Sequence, residues 1–224
     1  MMASLVTLWG LRLSYNFYRK GGYDRIPWKG AEDYRWQVMR EHPLLKGRLR
    51  FGLFNLLFIS LYQNLLILLF TSPMLLASIY PEKPLTILDL VAAFLMLIFI
   101  ILESVADNQQ FAFHQEKQHR KHEGLRYQES LKKGFITEGL WRYVRHPNFA
   151  SEQGIWISFY FFGVSASGQW LNLTVIGSLL LVLLFMGSTA LTERLSSKKY
   201  SAYTDYRNEV PKFIPRLTEL FRRK

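Results

Sequence analysis

Phe51 to Pro81 reads FGLFNLLFISLYQNLLILLFTSPMLLASIYP, 31 residues without Asp, Glu, Lys or Arg. A second stretch of the same kind, Gln153 to Thr192, runs for 40 residues without a charge. Each is longer than the roughly 20 apolar residues that cross a bilayer as a helix. The chain as a whole is 50% hydrophobic and 16% aromatic, yet 20% of it is charged and its mean hydropathy is only +0.03. Apolar and polar residues are therefore segregated along the chain, which excludes disorder, fibrous repeats and an ordinary soluble fold. Alternating apolar/polar strands are absent, and only helices or closed barrels satisfy the backbone in lipid. The expected fold is an all-α integral membrane protein, a multi-span helical bundle forming a single membrane domain over residues 1–224.

The charges say the same from the other side. The net charge is +11, from 28 Lys and Arg against 17 Asp and Glu. Arg19 to Arg50 holds nine basic residues, Lys117 to Arg145 eight and Arg194 to Lys224 nine, so 26 of 28 fall in three segments and only Arg12 and Lys83 lie elsewhere. Basic segments alternate with nearly uncharged connectors, the positive-inside pattern. A basic balance can mean nucleic acid, but this distribution is explained by the lipid bilayer as partner, and no nucleic-acid binding is expected. The absence of cysteine removes disulfides, thiolate nucleophiles, iron–sulfur clusters and Cys-ligated zinc.

The alternation predicts four full spans, at 51–72, 85–103, 148–164 and 170–191, after a short membrane-embedded helix at 1–18 and a basic segment at 19–50. The first span is expected to end at Pro73, and the long run to split at Ser165-Ala166-Ser167-Gly168. Residues 193–224 form a tail, and four spans place both termini in the cytoplasm; which membrane is not specified.

Nucleotide loops of the Rossmann or Walker kind, a nucleophile elbow and a His-Glu-x-x-His zinc motif are all missing. His114, His119 and His122 have box-like spacing, but five histidines in total are too few for a di-iron site, and no metal is expected. Glu103 and Asp107 stand one turn apart at the end of the second span, as carboxylates that either meet water or face a cavity. The densest stretch is Gly139-Leu140-Trp141-Arg142-Tyr143-Val144-Arg145-His146-Pro147-Asn148-Phe149-Ala150-Ser151-Glu152. Pro147 drives His146 out of the α region and starts a helix. Arg142, Tyr143, Arg145 and His146 then sit at a helix N-terminus, an anion-binding arrangement. Asn148 and Glu152 stand one turn apart inside the apolar helix, and the positive-inside pattern does not explain them. Glu152 needs neutralisation, a cation such as Arg145, or a bound group to accept from. Glu193 closes the last span, and Tyr203 and Tyr206 follow on a tail that either lies on the bilayer or closes as a lid.

Glu103-x3-Asp107-x-Gln109-x3-Phe113, the Arg142 to Glu152 block, Glu193 and Tyr203-x2-Tyr206-x8-Pro215 together resemble the steroid 5-alpha-reductase-like family of membrane reductases, in its bacterial and protist branch. Leu8-Trp9-Gly10-Leu11-Arg12-Leu13 and Glu32-Asp33-Tyr34-Arg35-Trp36 resemble that branch too, so the likeness covers nearly the whole chain. It implies a helical bundle that holds NADPH and reduces a conjugated carbon–carbon double bond in a lipid-like substrate, a steroid, polyprenoid or enone. By matching positions it places Asp107, Asn148 and Glu152 at the nicotinamide–ribose part and Arg142 and Arg145 at phosphates, with Tyr143, His146, Glu193 and Tyr203 around the cofactor. The steroid reductases proper carry a Gln-Glu pair in an early helix. That helix is expected upstream of Met1, which leaves the catalytic acid unassigned.

Isoprenylcysteine carboxyl methyltransferases share the Arg-His-Pro block and a Glu…Tyr-x2-Tyr…Pro tail, and bind S-adenosylmethionine there. Asn148 with Glu152, and Asp107 upstream, favour the reductase over this alternative. A non-catalytic membrane protein that keeps the fold is the third reading.

Overall fold

The computed structural model describes residues 1–23, 34–80, 82–126 and 129–216. Glu32 and Asp33 of the second quoted motif and the last eight residues of the tail lie outside them. Among the described residues every regular element is helical and none is a strand. The chain is a membrane protein of the helical class, as its uncharged runs require.

Helix α1 is Met2–Arg19 and α2 is Tyr34–Glu41. A helical stretch from Arg48 to Ser78 follows, composed of α3 (Arg48–Phe54), a π-helical segment (Asn55–Tyr62), α4 (Gln63–Thr71) and α5 (Pro73–Ser78). Then come α6 (Ile87–His122), α7 (Glu129–Lys132), a 3₁₀ turn (Gly139–Arg142), α8 (Pro147–Ser167), α9 (Val175–Lys199) and α10 (Tyr203–Glu209).

Pro73 interrupts the first span without ending it. One turn residue, Ser72, intervenes, and Pro73 restarts the helix at its first position, where a missing N–H costs nothing. Likewise α6 does not stop near Glu103 but runs on to a basic last turn at His119–His122, which suits the negative end of the helix dipole.

Three helical stretches are long and apolar enough to cross a membrane: Arg48–Ser78, Ile87–His122 and Val175–Lys199. Between 11% and 28% of their most apolar windows is buried within the protein, so their leucines face outward, as lipid-facing residues do. Helix α8 occupies the position of the third expected span and is built differently. Ile155, Trp156 and Phe159 are 0% exposed, and its first turns carry Asn148, Ser151, Glu152 and Gln153. A helix surrounded by protein is free to carry that polar content.

The described residues fall into two units. The first comprises Met1–Ala93 and Trp156–Leu183. At its centre Trp156 meets Trp9 of α1 edge-on with ring centroids 4.9 Å apart, Phe70 of α4 at 4.1 Å and Phe159 at 5.4 Å. Gly177 of α9 lies against the backbone of Leu69 and Phe70 so closely that any Cβ would collide with it. Thr86 and Asp89 form a capping box at the start of α6: the Asp89 carboxylate accepts from Thr86 N at 2.8 Å and the Thr86 hydroxyl at 2.9 Å. It also accepts from the Ser165 hydroxyl at 2.7 Å. Lys83, one of the two basic residues left over from the charge pattern, donates to the carbonyls of Ser165 and Ala166 at 2.5 and 3.0 Å and so caps α8.

The second unit comprises Phe94–Ile155 and Leu184–Lys224. Here the stretch from the 3₁₀ turn into α8 runs antiparallel to α6, because contacts fall in sequence on one as they rise on the other. Phe99 covers Gly154, the Ala106 carbonyl accepts from Trp141 Nε1 at 3.2 Å, and Gln109 Oε1 accepts from the Leu140 N–H at 2.9 Å. Phe149 of α8 packs on Phe185 of α9 with centroids 4.8 Å apart.

Candidate functional site

The Arg-His-Pro block is held by backbone before any side chain acts. Gly139 takes φ +60°, a conformation that favours glycine, beside the Gln109 amide. Trp141 is buried, and its carbonyl accepts from the Tyr206 hydroxyl of α10. Burial, and then the neighbouring Tyr203, push the Tyr206 phenol well above its ordinary range, so it stays a donor. The next two residues pair with the tail: Arg145 N–H donates to the Pro211 carbonyl at 2.9 Å and His146 N–H to that of Lys212 at 3.2 Å. His146 then accepts from Ala150 N as α8 begins, with Pro147 at its first position.

On that frame three titratable side chains meet. Arg145 Nε lies 2.8 Å from Glu193 Oε1 and His146 Nε2 lies 3.0 Å from the same oxygen. Arg145 Nη1 donates to the carbonyls of Arg207, at 2.7 Å, and Val210. Arg207 Nε stands 3.6 Å from Glu193 Oε2. Arg145, His146 and Glu193 are 8%, 5% and 3% exposed. An ionised carboxylate only accepts, so the His146 Nε2 proton faces Glu193. Burial lowers the His146 pKa below 6.5, outweighing the hydrogen bond and charge of Glu193, which pull it up. Neutral His146 stacks on Phe149, with rings 5.8 Å apart and 10° from parallel.

This corrects two expectations for Arg145. Its carboxylate partner is Glu193, 48 residues on, and not Glu152 as the sequence suggested. Its Nε and Nη1 donors are committed to internal acceptors, so of its fork only Nη2 remains to meet a phosphate. Arg142, at the end of the 3₁₀ turn, is exposed, and Tyr143 is half-buried. Tyr203 is buried with Phe135, Tyr206 and Val210 in an aromatic cluster, so it lies in a core and neither on a bilayer surface nor in an open lid.

Asn148 and Glu152 are both half-buried on α8. Asn148 Oδ1 is shielded from solvent and accepts no hydrogen bond among the described residues. Asp107 and Glu103 are 4% and 6% exposed, so they do not simply meet water. They follow Phe99 at intervals of four residues and share its face of α6. That face meets α8 at Gly154, whereas Asn148 and Glu152 lie about 120–160° around α8 from Gly154 at 100° per residue. The structure thus gathers Arg145, His146 and Glu193 and keeps Asn148 with Glu152. Asp107 lies on α6, two turns beyond Phe99.

Sequence reasoning missed what borders the Glu193 node. A cavity of about 460 Å³ is lined by Ala190, Glu193, Arg194, Ser197, Lys198, Arg207 and Lys212. Its only sequence signal is the basic cluster that closes α9 and resumes after α10.

Over residues 1–210 the chain matches the family described as protein of unknown function (DUF1295), and it belongs to that family. An uncharacterised protein of Schizosaccharomyces pombe is 41% identical over 228 residues, covering 97% of this chain and 63% of the yeast protein. The chain therefore spans less than two thirds of the length of that curated relative. No solved structure matches it.

Proposed function

We propose that this member of the DUF1295 family is a membrane-embedded, NADPH-dependent reductase of a conjugated carbon–carbon double bond in a lipid-like substrate such as a steroid, polyprenoid or enone. The observation that carries the reading is Asn148 Oδ1, a buried acceptor with no donor among the described residues, one turn from the acceptor-only Glu152. A buried polar atom without a partner costs ~1–3 kcal/mol. The amide N–H₂ of a nicotinamide supplies the donor, and Glu152 offers a second acceptor on the same face. NADPH, when bound, supplies the hydride. Asn148 and Glu152 hold the ring so that one face meets the substrate, because hydride transfer depends on that orientation. Exposed Arg142, at the approach to the α8 N-terminus, takes the phosphate role, for which buried Arg145 has only Nη2 left. A planar fork suits that role.

A second reading, S-adenosylmethionine-dependent methyl transfer, draws on the Arg145–His146–Glu193 node, since its residues belong to the block and tail that both families share. Asn148 and Glu152 are what separate the two readings. The test is the melting temperature of detergent-purified protein with NADPH, NADH or S-adenosylmethionine, for wild type and Glu152→Gln. The expected result is a wild-type shift with NADPH that the variant loses while melting no lower on its own. A shift with S-adenosylmethionine alone replaces the reductase reading. A variant that melts lower yet keeps the full NADPH shift makes Glu152 structural.

A further inference from the structure

The cavity at the end of α9 is an electrostatic surplus in a defined place. Arg194, Ser197 and Lys198 line it from α9, Arg207 from α10 and Lys212 from the tail, so four cations face one carboxylate, Glu193. That carboxylate is already ion-paired with buried Arg145 at 2.8 Å. Four cations converging on one concave surface repel one another and focus a positive field that favours an anion. Independently of the charges, the Ser197 hydroxyl oxygen is shielded from solvent and lacks a hydrogen-bond partner among the described residues. Shielded as it is, that oxygen does not meet the open cavity, and the four cations are what mark the cavity for an anion. At about 460 Å³ the cavity exceeds a single phosphate and lies in the size range of small-molecule sites.

The same helix face tells which phosphate. Counting back from Arg194 by four, seven and eight residues reaches Ala190, Gly187 and Met186, which share its face. Ala190 and Gly187 are exposed and Met186 is 50% exposed. A Cβ built on Gly187 would meet nothing within 4 Å, so the helix surface is open there. The cavity therefore continues into a bare apolar strip on a helix apolar enough to cross a membrane. A soluble anion has no use for such a strip, whereas an amphiphile with an anionic head and acyl chains fits both parts.

We propose that this cavity binds the phosphate headgroup of an anionic phospholipid, with its acyl chains lying along α9 over Ala190, Gly187 and Met186. The nicotinamide reading rests on Asn148 and Glu152 of α8, whereas the cavity is lined from α9, α10 and the tail; Glu193, in its wall, lies 3.0 Å from His146, two residues before Asn148. Phosphate chemistry is shared by lipid headgroups, free phosphate and the phosphates of a dinucleotide, so the test must separate them.

The full chain, purified in an uncharged detergent, is titrated with dioleoyl phosphatidylglycerol, dioleoyl phosphatidylcholine, inorganic phosphate or NADPH. Melting temperature and the number of lipids retained in native mass spectrometry are the readouts. Phosphatidylglycerol should raise the melting temperature and remain as one bound lipid, and phosphatidylcholine, with the same tails, should do neither. The double variant Arg194→Gln/Lys198→Gln should bind phosphatidylglycerol at least about tenfold more weakly, given ~1 kcal/mol per basic residue at an anionic lipid surface. Gly187→Leu keeps every charge and obstructs only the strip. It should weaken lipid binding while leaving any response to inorganic phosphate unchanged. Equal effects of the two lipids on wild type, or wild-type retention by both variants, would overturn the proposal. Displacement of phosphatidylglycerol by NADPH or by inorganic phosphate would assign the cavity to a soluble phosphate and end the lipid reading, with the Glu152 test unaffected. If the double variant does not fold, Gly187→Leu and the competition on wild type decide.

Discussion

In the unit made of Met1–Ala93 and Trp156–Leu183, the buried centre is a set of rings: Trp156, Phe159 and Phe162, with Phe70 on one side and Trp9 on another. In the unit made of Phe94–Ile155 and Leu184–Lys224, Glu103, Asp107, Arg145, His146 and Glu193 are all nearly buried. Both lie on helices that read as apolar spans or adjoin them. Rings need only shape and area to be stable in such a place, whereas a buried charge is tolerated only if paired and hydrogen-bonded. The first unit has the character of a scaffold. The second carries interactions that burial alone would disfavour, which is where function is to be sought.

That contrast is tested hardest at Glu193. Its carboxylate serves Arg145 and His146 at once, so Glu193→Ala leaves a buried guanidinium without its counter-charge. We expect a loss of about 3–5 kcal/mol, the cost of breaking a buried pair from one side. Unfolding in detergent monitored by tryptophan fluorescence measures it. A loss under about 1 kcal/mol would mean that the two backbone rungs to Pro211 and Lys212 hold the node without help from charge.

The next effect is reached by pH. Burial keeps His146 neutral in the folded protein below its ordinary value of 6.5. The unfolded chain takes up a proton as pH falls through 6.5 and the folded one does not. Stability at this group is therefore complete above that pH and declines below it, by at most about 1.4 kcal/mol per pH unit. The decline levels off once His146 titrates in the folded state. Comparing the melting temperature at pH 7.5 and 5.5 for wild type and His146→Gln isolates the effect, because the variant lacks this proton. A variant with the same pH dependence as wild type would place the sensitivity elsewhere.

How much of this was legible in the sequence follows from the range of the forces. Charge-free runs are a local property, and they gave the helical membrane class and the neighbourhood of each long helix. The start of α8 was legible because Pro147 acts on its immediate neighbour. Helix ends were less so: Ser72 and Pro73 look like a stop, yet Pro73 suits the first position of a new helix equally well, and it lies against Gly163 of α8. The partner of Arg145 was out of reach, since Glu152 is seven residues away in sequence and Glu193 is 48, and nothing local chooses between them. The cavity beyond Glu193 draws on α9, α10 and the tail, three segments whose convergence leaves no periodic signal.

The smallest expected effect belongs to the first unit and to a residue that the charge pattern left unexplained. Lys83 lies in the connector before α6, and its amine caps the last carbonyls of α8 at Ser165 and Ala166. Those carbonyls sit at a helix end beside exposed residues, where water replaces a lost donor at little cost. Lys83→Ala should therefore reduce stability by about 0.5–1 kcal/mol, the net worth of an ordinary hydrogen bond. It should leave the response to NADPH and to phosphatidylglycerol unchanged, since both proposed sites draw on residues of the other unit. A fluorescence-monitored unfolding midpoint beside that of Glu193→Ala is the measurement. If the two variants lost similar stability, the polar fastening of the first unit would be as deeply committed as that of the second. The division into an aromatic scaffold and a charge-bearing unit would then fail at its most exposed contact.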